Sequence, residues 1–166
     1  YISEGFKTEI STKNLFALFF ERALSLSAVV ALFTPKSLLN APEFTPLRSL
    51  LETKALLSIN DYGEKGFQGV KIETISTVVD SREQPSRTSV NSYILSTYKT
   101  YDQNYITDRN YPYWLIYRDN YFDSIVAKLD LGVFDVLRDR TLTSKVMKPN
   151  GSVRVIKSRN VGDGVI

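Results

Sequence analysis

The sequence predicts an α/β fold on three observations: an apolar helical run, a continuous apolar strand behind it, and a later pair of β-rich runs joined by a glycine-rich loop. Residues Asn14 to Leu26, NLFALFFERALSL, place apolar side chains on most faces of a helix, relieved by Glu21 and Arg22. Asn14 is a suitable N-cap, because its side-chain oxygen can accept from an otherwise orphan amide. A helix of this kind is expected to lie against a sheet.

Ala28 to Thr34, AVVALFT, is apolar almost throughout and is closed by Pro35, the pattern of a strand buried on both faces, as central parallel strands are. Phe44 to Thr53 returns to helical spacing through Leu47, Leu50 and Leu51, with Pro46 tolerated in the first turn. Two β-rich runs follow, Ala55 to Asp61 and Val70 to Asp80, separated by YGEKGFQG with its three glycines. A parallel crossover needs a dozen or more residues, so this pair must be antiparallel. The expected architecture is a mostly parallel sheet ending in a reversed edge hairpin.

Apolar content drops over SREQPSRTSVN, and polar turn formers dominate, which predicts a linker over residues 81–92. The region beyond it is rich in tyrosine and holds Trp114 in YPYWLIYR, read as a short strand or a docking segment. Phe122 to Leu131 has helical spacing, and Val153 to Ser158 reads as a strand after a tight turn. The expected division is 1–80, a linker over 81–92, and a second region over 93–166.

Composition narrows the chemistry. With 43% apolar and 23% charged residues the chain is typical of a globular protein able to build a core. It has no cysteine and no histidine, which excludes disulfides, thiolate nucleophiles, Ser-His and Cys-His arrangements and the usual transition-metal ligands. Its most apolar stretch, Ala23 to Leu39, is broken by Ser25, Ser27, Pro35 and Lys36, so neither a membrane span nor a secretory signal is expected, and a cytoplasmic location is. The chain opens on Tyr1 and its last residues read like the middle of a strand, so neighbouring segments are expected on both sides.

The net charge of +3 is unevenly distributed: between Arg138 and Asn160 there are seven Lys or Arg residues against one Asp. Such a local excess is expected near phosphates.

The succession TPKSLLN and then INDYGEKGFQGVKIETI resembles the distal half of the catalytic domain of adenine-specific DNA methyltransferases from restriction-modification systems, above all the type IIS group. The likeness covers residues 10 to 80 and, more loosely, the start of a target-recognition region from about 93 onward. It implies the distal half of a class I (Rossmann-like) methyltransferase sheet and a parent enzyme that moves a methyl group from S-adenosylmethionine to the exocyclic amine of adenine. Double-stranded DNA is the implied partner, with a cognate restriction endonuclease beside it and no metal. The glycine-rich cofactor loop and the Asn-Pro-Pro-Tyr type tetrapeptide of that family do not occur here, so catalysis by this segment alone is not expected.

The same resemblance matches Phe67 to an aromatic residue that stacks on the flipped adenine. An enzyme that modifies a base edge must extrude the base, and an aromatic face returns part of the lost stacking. Gly66 and Gly69 would let the backbone approach the base, and Pro35 and Lys36 would border the target strand. The plainer alternatives are a loop aromatic tucked under the hairpin, a helix-start proline and a solvated lysine. VFDVLRDRTLTSK and GSVRVIKSRNVGDGVI resemble the entry to the target-recognition domain, and also specificity subunits of type I systems. Arg138, Arg140, Lys145, Lys148, Arg154, Lys157 and Arg159 are then candidate DNA contacts, against the alternative of a solvated face in which Asp139 and Asp163 pair with arginines. Carboxylate pairs such as Asp61 with Glu64 or Glu73 read as surface or hairpin charges, and the tyrosines read as packing residues before stacking ones.

Two other function classes compete with the enzyme: a non-catalytic DNA-specificity module, and an α/β interaction domain with an unrelated partner. Salt separates the last from the others. DNA contact through the basic stretch predicts affinity for mixed-sequence duplex DNA that falls steeply between about 50 and 200 mM salt in a fluorescence-anisotropy titration; an absence of salt-sensitive binding would favour the interaction domain.

Overall fold

The structure is a computed structural model and describes residues 5–10, 12, 14–69, 71–130, 132, 133, 148 and 150–154. The chain divides into two compact units, Tyr1–Ser124 and Ile125–Ile166. In the second, the described side chains are mostly exposed, Leu129, Val133 and Val153 among them.

The first unit is an α/β structure on a five-stranded mixed sheet. Helix α1 (Leu15–Leu26) begins where the sequence placed it, with the Asn14 side chain accepting from the Phe16 amide. Strand β1 (Val29–Pro35) follows, then short 3-10 turns at Lys36–Leu39 and Pro42–Phe44, and helix α2 (Thr45–Glu52). Strands β2 (Ala55–Gly63) and β3 (Thr74–Asp80) form the expected antiparallel hairpin.

Four expectations are corrected. Strand β1 is not a central strand buried on both faces: it lies at the edge of the sheet, with Val29 and Phe33 exposed. The return strand of the hairpin is not at an edge: the sheet order is β1-β3-β2-β4-β5, and β3 lies between β1 and β2, antiparallel to both. Its sequence TISTVVD explains the placement, since β-branched residues suit a strand with neighbours on both sides. The segment read as a linker contains strand β4 (Arg87–Ser92), parallel to β2, and β5 (Thr97–Asp102) pairs antiparallel with β4. Thr88, Val90 and Ser92 are its buried side chains, and small polar residues at two of those three positions hid the alternation from an apolar reading. Pairing is therefore mainly antiparallel, although β1, β2 and β4 share one direction.

Beyond the sheet lie α3 (Gln103–Ile106) and α4 (Asn120–Val126). The YPYWLIYR segment between them forms no strand and serves as a docking segment: Trp114 donates from its backbone to the Leu39 carbonyl and from its indole to Glu52, both at 2.9 Å.

One face of the sheet carries the core. Val30, Ile75, Val79, Leu56, Ile59 and Val90 meet Ala17 and Phe20 of α1 and Leu47 and Leu51 of α2. Irregular chain around that core is tied down by buried polar groups, as its unpaired backbone requires. Arg48, 3% exposed, donates to the carbonyls of Leu38, Ala41 and Pro112. Gln103 accepts from the Leu56 amide and donates to the Lys54 carbonyl.

The opposite face is open at its edges. A row formed by Phe33, Ser76, Asn60, Asn91 and Tyr98 crosses all five strands in register. Asn91 donates to Asn60 at 2.6 Å and Asn60 to Ser76 at 3.0 Å, while Phe33 and Tyr98 at the two ends are exposed. Nor is α1 apolar on buried faces alone, since Leu15, Phe19 and Leu26 are exposed.

Among the described residues the buried hydroxyls of Thr34, Thr77 and Thr88 find no hydrogen-bond partner. Thr77 has no exposed surface, and a buried hydroxyl without a partner costs about 1–3 kcal/mol that an isosteric methyl does not. Thr77→Val is expected to stabilise the protein by about 1 kcal/mol in urea unfolding; destabilisation would mean that the hydroxyl is satisfied in solution.

Candidate functional site

In open α/β sheets, ligands bind beyond the carboxyl ends of parallel strands. Here β1, β2 and β4 run the same way, and their carboxyl ends bring together Pro35 and Lys36, Asp61 to Gly63, and Ser92 with Tyr93.

Asp61 is the centre of this end. It is 1% exposed, so its charge must be matched by partners. Lys36 Nζ approaches Oδ2 at 2.7 Å, the Gly63 amide donates to Oδ1 at 2.9 Å, and the Tyr117 hydroxyl donates a short hydrogen bond to Oδ2. Tyr117 also meets Ser92 Oγ at 2.9 Å, and the Lys36 ammonium lies 5.7 Å from its ring centroid. Burial alone pushes the Asp61 carboxyl up, but Lys36, Tyr117 and Gly63 together hold it below the ordinary carboxylate value. Tyr117 is pushed up to about 12 by burial and by the Asp61 charge.

An aromatic row lies along the same end. The Phe67 ring stands edge-on to Phe33 with centroids 5.9 Å apart, Phe33 lies 5.2 Å from Tyr62, and Tyr62 stacks on Tyr93 at 4.8 Å and 9°. Phe67, Phe33 and Tyr93 are each more than half exposed. Phe67 is thus not tucked beneath the hairpin. Its loop depends on glycine in two ways. A Cβ at Gly66 would meet the Thr74 side chain at 2.8 Å, and Gly69 has φ +78, a conformation that other residues resist.

Pro35 ends β1, and Lys36 opens the 3-10 turn behind it. Lys36 is not the solvated lysine of the plainer reading: its side chain is 25% exposed, paired with Asp61, and lies 3.8 Å from Glu73. Asp61 is no surface charge either. Of the basic residues singled out from the sequence, Lys148 and Arg154 are exposed, while Arg138, Arg140, Lys145, Lys157 and Arg159 lie outside the described residues, as do Asp139 and Asp163.

Sequence reasoning missed Tyr117, Ser92 and the role of Asp61. One signal was present, an aspartate at the end of an otherwise apolar strand run. Nothing along the chain connects it to Tyr117, 56 residues away. Several other tyrosines pack: Tyr101 stacks on Tyr105, and the Arg118 guanidinium lies over Tyr105 and Tyr111 while pairing with Asp108 and Asp123. Beside Tyr117 opens a cleft of about 450 Å³ walled by Leu39, Trp114, Ile116 and Phe122.

Among the described residues no group of acidic side chains could hold a metal ion, and no helix is long and apolar enough to cross a membrane. The fold defines an α/β protein with a mixed five-stranded sheet. No family model matches the chain, and no curated protein sequence matches it.

The Asp61 carboxyl is depressed in the folded state, so its contribution to stability is complete above the ordinary value of 3.8 and is lost as pH falls through the lower folded value. Asp61→Asn is expected to lower stability by roughly 3 kcal/mol at pH 7, because one partner of a buried pair is left uncompensated. In urea unfolding at a series of pH values the gap between wild type and variant should close below about pH 4. A gap constant down to pH 2 would show that the charge plays no part.

Proposed function

We propose that this chain is part of a site-specific DNA methyltransferase that transfers a methyl group from S-adenosylmethionine to the exocyclic amine of adenine in double-stranded DNA, within a restriction-modification system that includes a cognate endonuclease. The chain's own contribution is the wall that receives the extruded base. The observation that carries this reading is Phe67, more than half exposed in a glycine-dependent loop at the carboxyl ends of β1 and β2.

The chemistry asks for such a wall. Within a duplex the adenine amine lies inside the stack, and extrusion costs a few kcal/mol. An aromatic face returns roughly 1–3 kcal/mol per base and accepts any π-surface. The amine is a weak nucleophile, so rate comes from holding it against the methyl donor at near-attack distance. A ring set edge-on to Phe33, which itself packs on Tyr62, can hold a base in one plane.

The free edge of β1 adds support. Among the described residues its only strand neighbour is β3, and Val29 and Phe33 beside that edge are exposed and apolar. Natural edge strands are usually guarded by charge, proline or a covering element. Among the described residues this one carries no charge and no proline before Pro35, which suits a sheet that continues on that side. The described residues do not themselves fit the methyl donor: the glycines of the hairpin loop lead into a strand rather than into a helix N-terminus, and Lys36 is paired with Asp61. Donor binding is therefore assigned to other parts of the parent enzyme.

Methyl transfer from labelled S-adenosylmethionine to mixed-sequence duplex DNA by the polypeptide that contains this chain tests the reading. Methylated adenine is expected with the wild type. Phe67→Ala should lower the rate roughly 10- to 100-fold, the kinetic equivalent of one lost stack, and Phe67→Trp should retain most of it. Product carrying no methylated adenine would sink the reading, and full activity in Phe67→Ala would remove Phe67 from the site.

A further inference from the structure

Both stems of the Phe67 loop meet the residues of one ion pair, Lys36 with the buried Asp61. Its first stem leaves β2 at Gly63, where φ is +53 and the amide donates to Asp61 Oδ1 at 2.9 Å. Its second stem re-enters the sheet at Glu73, whose carbonyl accepts from the Lys36 amide at 2.8 Å. Lys36 and Asp61 are joined at 2.7 Å. Tyr117 adds a third tie, linking Asp61 to Ser92 at the end of β4.

A carboxylate with this little exposure is a poor route to stability, since desolvation offsets much of the Coulombic gain. What such a group supplies is geometry, because its partners are satisfied in one arrangement and every other arrangement leaves a charge buried without one. The arrangement here sets how both loop stems leave the sheet, and with them where the Phe67 ring meets Phe33. No other charged group among the described residues touches both stems: Glu64 and Lys65 lie within the loop and are exposed.

We infer that Asp61 is a positioning residue, which acts through Lys36, Gly63 and Tyr117 to hold the loop of residues 64–73 so that the Phe67 ring stays presented at the carboxyl ends of β1 and β2. The positioning is a property of the fold. Its use in base capture rests on the methyltransferase reading above.

Two measurements separate these levels. In hydrogen–deuterium exchange of the chain, Asp61→Asn is expected to speed exchange across residues 63–73 at least tenfold more than in β1 and the middle of β3, whose amides change only by the global loss of stability. Tyr117→Phe removes one donor, keeps the ring beside Lys36, and is expected to speed the same amides several-fold; it decides the matter should Asp61→Asn not fold. Unchanged exchange in 63–73, or acceleration spread evenly over the sheet, would overturn the inference. In the parent enzyme, methyl-transfer rates for Asp61→Asn, Phe67→Ala and the double variant form a cycle. If Asp61 acts through Phe67, the double variant is no slower than Phe67→Ala, whereas multiplied losses would overturn the link to base capture. A local exchange effect without any methyl transfer by the wild type would keep the positioning role and sink the methyltransferase reading alone.

Discussion

A carboxylate almost completely removed from water persists as a charge only where donors surround it, and at Asp61 those donors come from three parts of the chain. Lys36 follows β1, Gly63 ends β2, and Tyr117 belongs to the irregular segment between α3 and α4. Each is held in place by elements that would otherwise be free to move independently. In the sheet, Thr34, Ile75, Asp61 and Ser92 lie across from one another on successive strands, so a slip of one residue would turn Asp61 to the other face, away from Lys36 and Tyr117. Register, hairpin and docking segment thus all meet at one group.

A similar logic recurs away from the strand ends. Irregular chain near a core leaves backbone groups that no ladder satisfies, and in this protein long polar side chains reach in to satisfy them. Arg48 collects carbonyls from Leu38 of the first 3-10 turn, from Ala41 just before the second and from Pro112, Gln103 joins α3 to the start of β2, and Arg118 gathers Asp108, Asp123 and the Tyr105 carbonyl. The tyrosine-rich segment is held by such contacts as much as by burial, since only Trp114 and Ile116 of YPYWLIYR reach the core.

The surface is uneven in a way that bears on function. Exposed apolar side chains occur on α1, on the edge strand β1 and in the aromatic row, through Leu15, Phe19, Leu26, Val29, Phe33, Phe67 and Tyr93, as well as elsewhere. Scattered exposed apolar residues need no explanation, but apolar side chains on an edge strand, here Val29 and Phe33, invite one. The aromatic row lies beside that edge, and the proposed function rests on that arrangement together with Phe67.

Periodicity alone determined the helix at α1 with its Asn14 cap, the helix at α2, the apolar strand β1 and the antiparallel pairing of β2 with β3, because each follows from local pattern and from how far a short loop can reach. The exposure of Phe67 and the glycine requirement at Gly66 needed three dimensions, since the atoms that decide them belong to Phe33 and Thr74. The insertion of β3 between β1 and β2 and the recruitment of a polar segment as β4 were also tertiary decisions. A strand's neighbours depend on which edge is free when the chain returns, and the small polar residues of β4 show their burial only once β2 lies beside them. Asp61 is the sharpest case. In sequence it is one acid among several near a hairpin, and only folding, by bringing Lys36 and Tyr117 to it across 25 and 56 residues, makes it the charge on which the site is built.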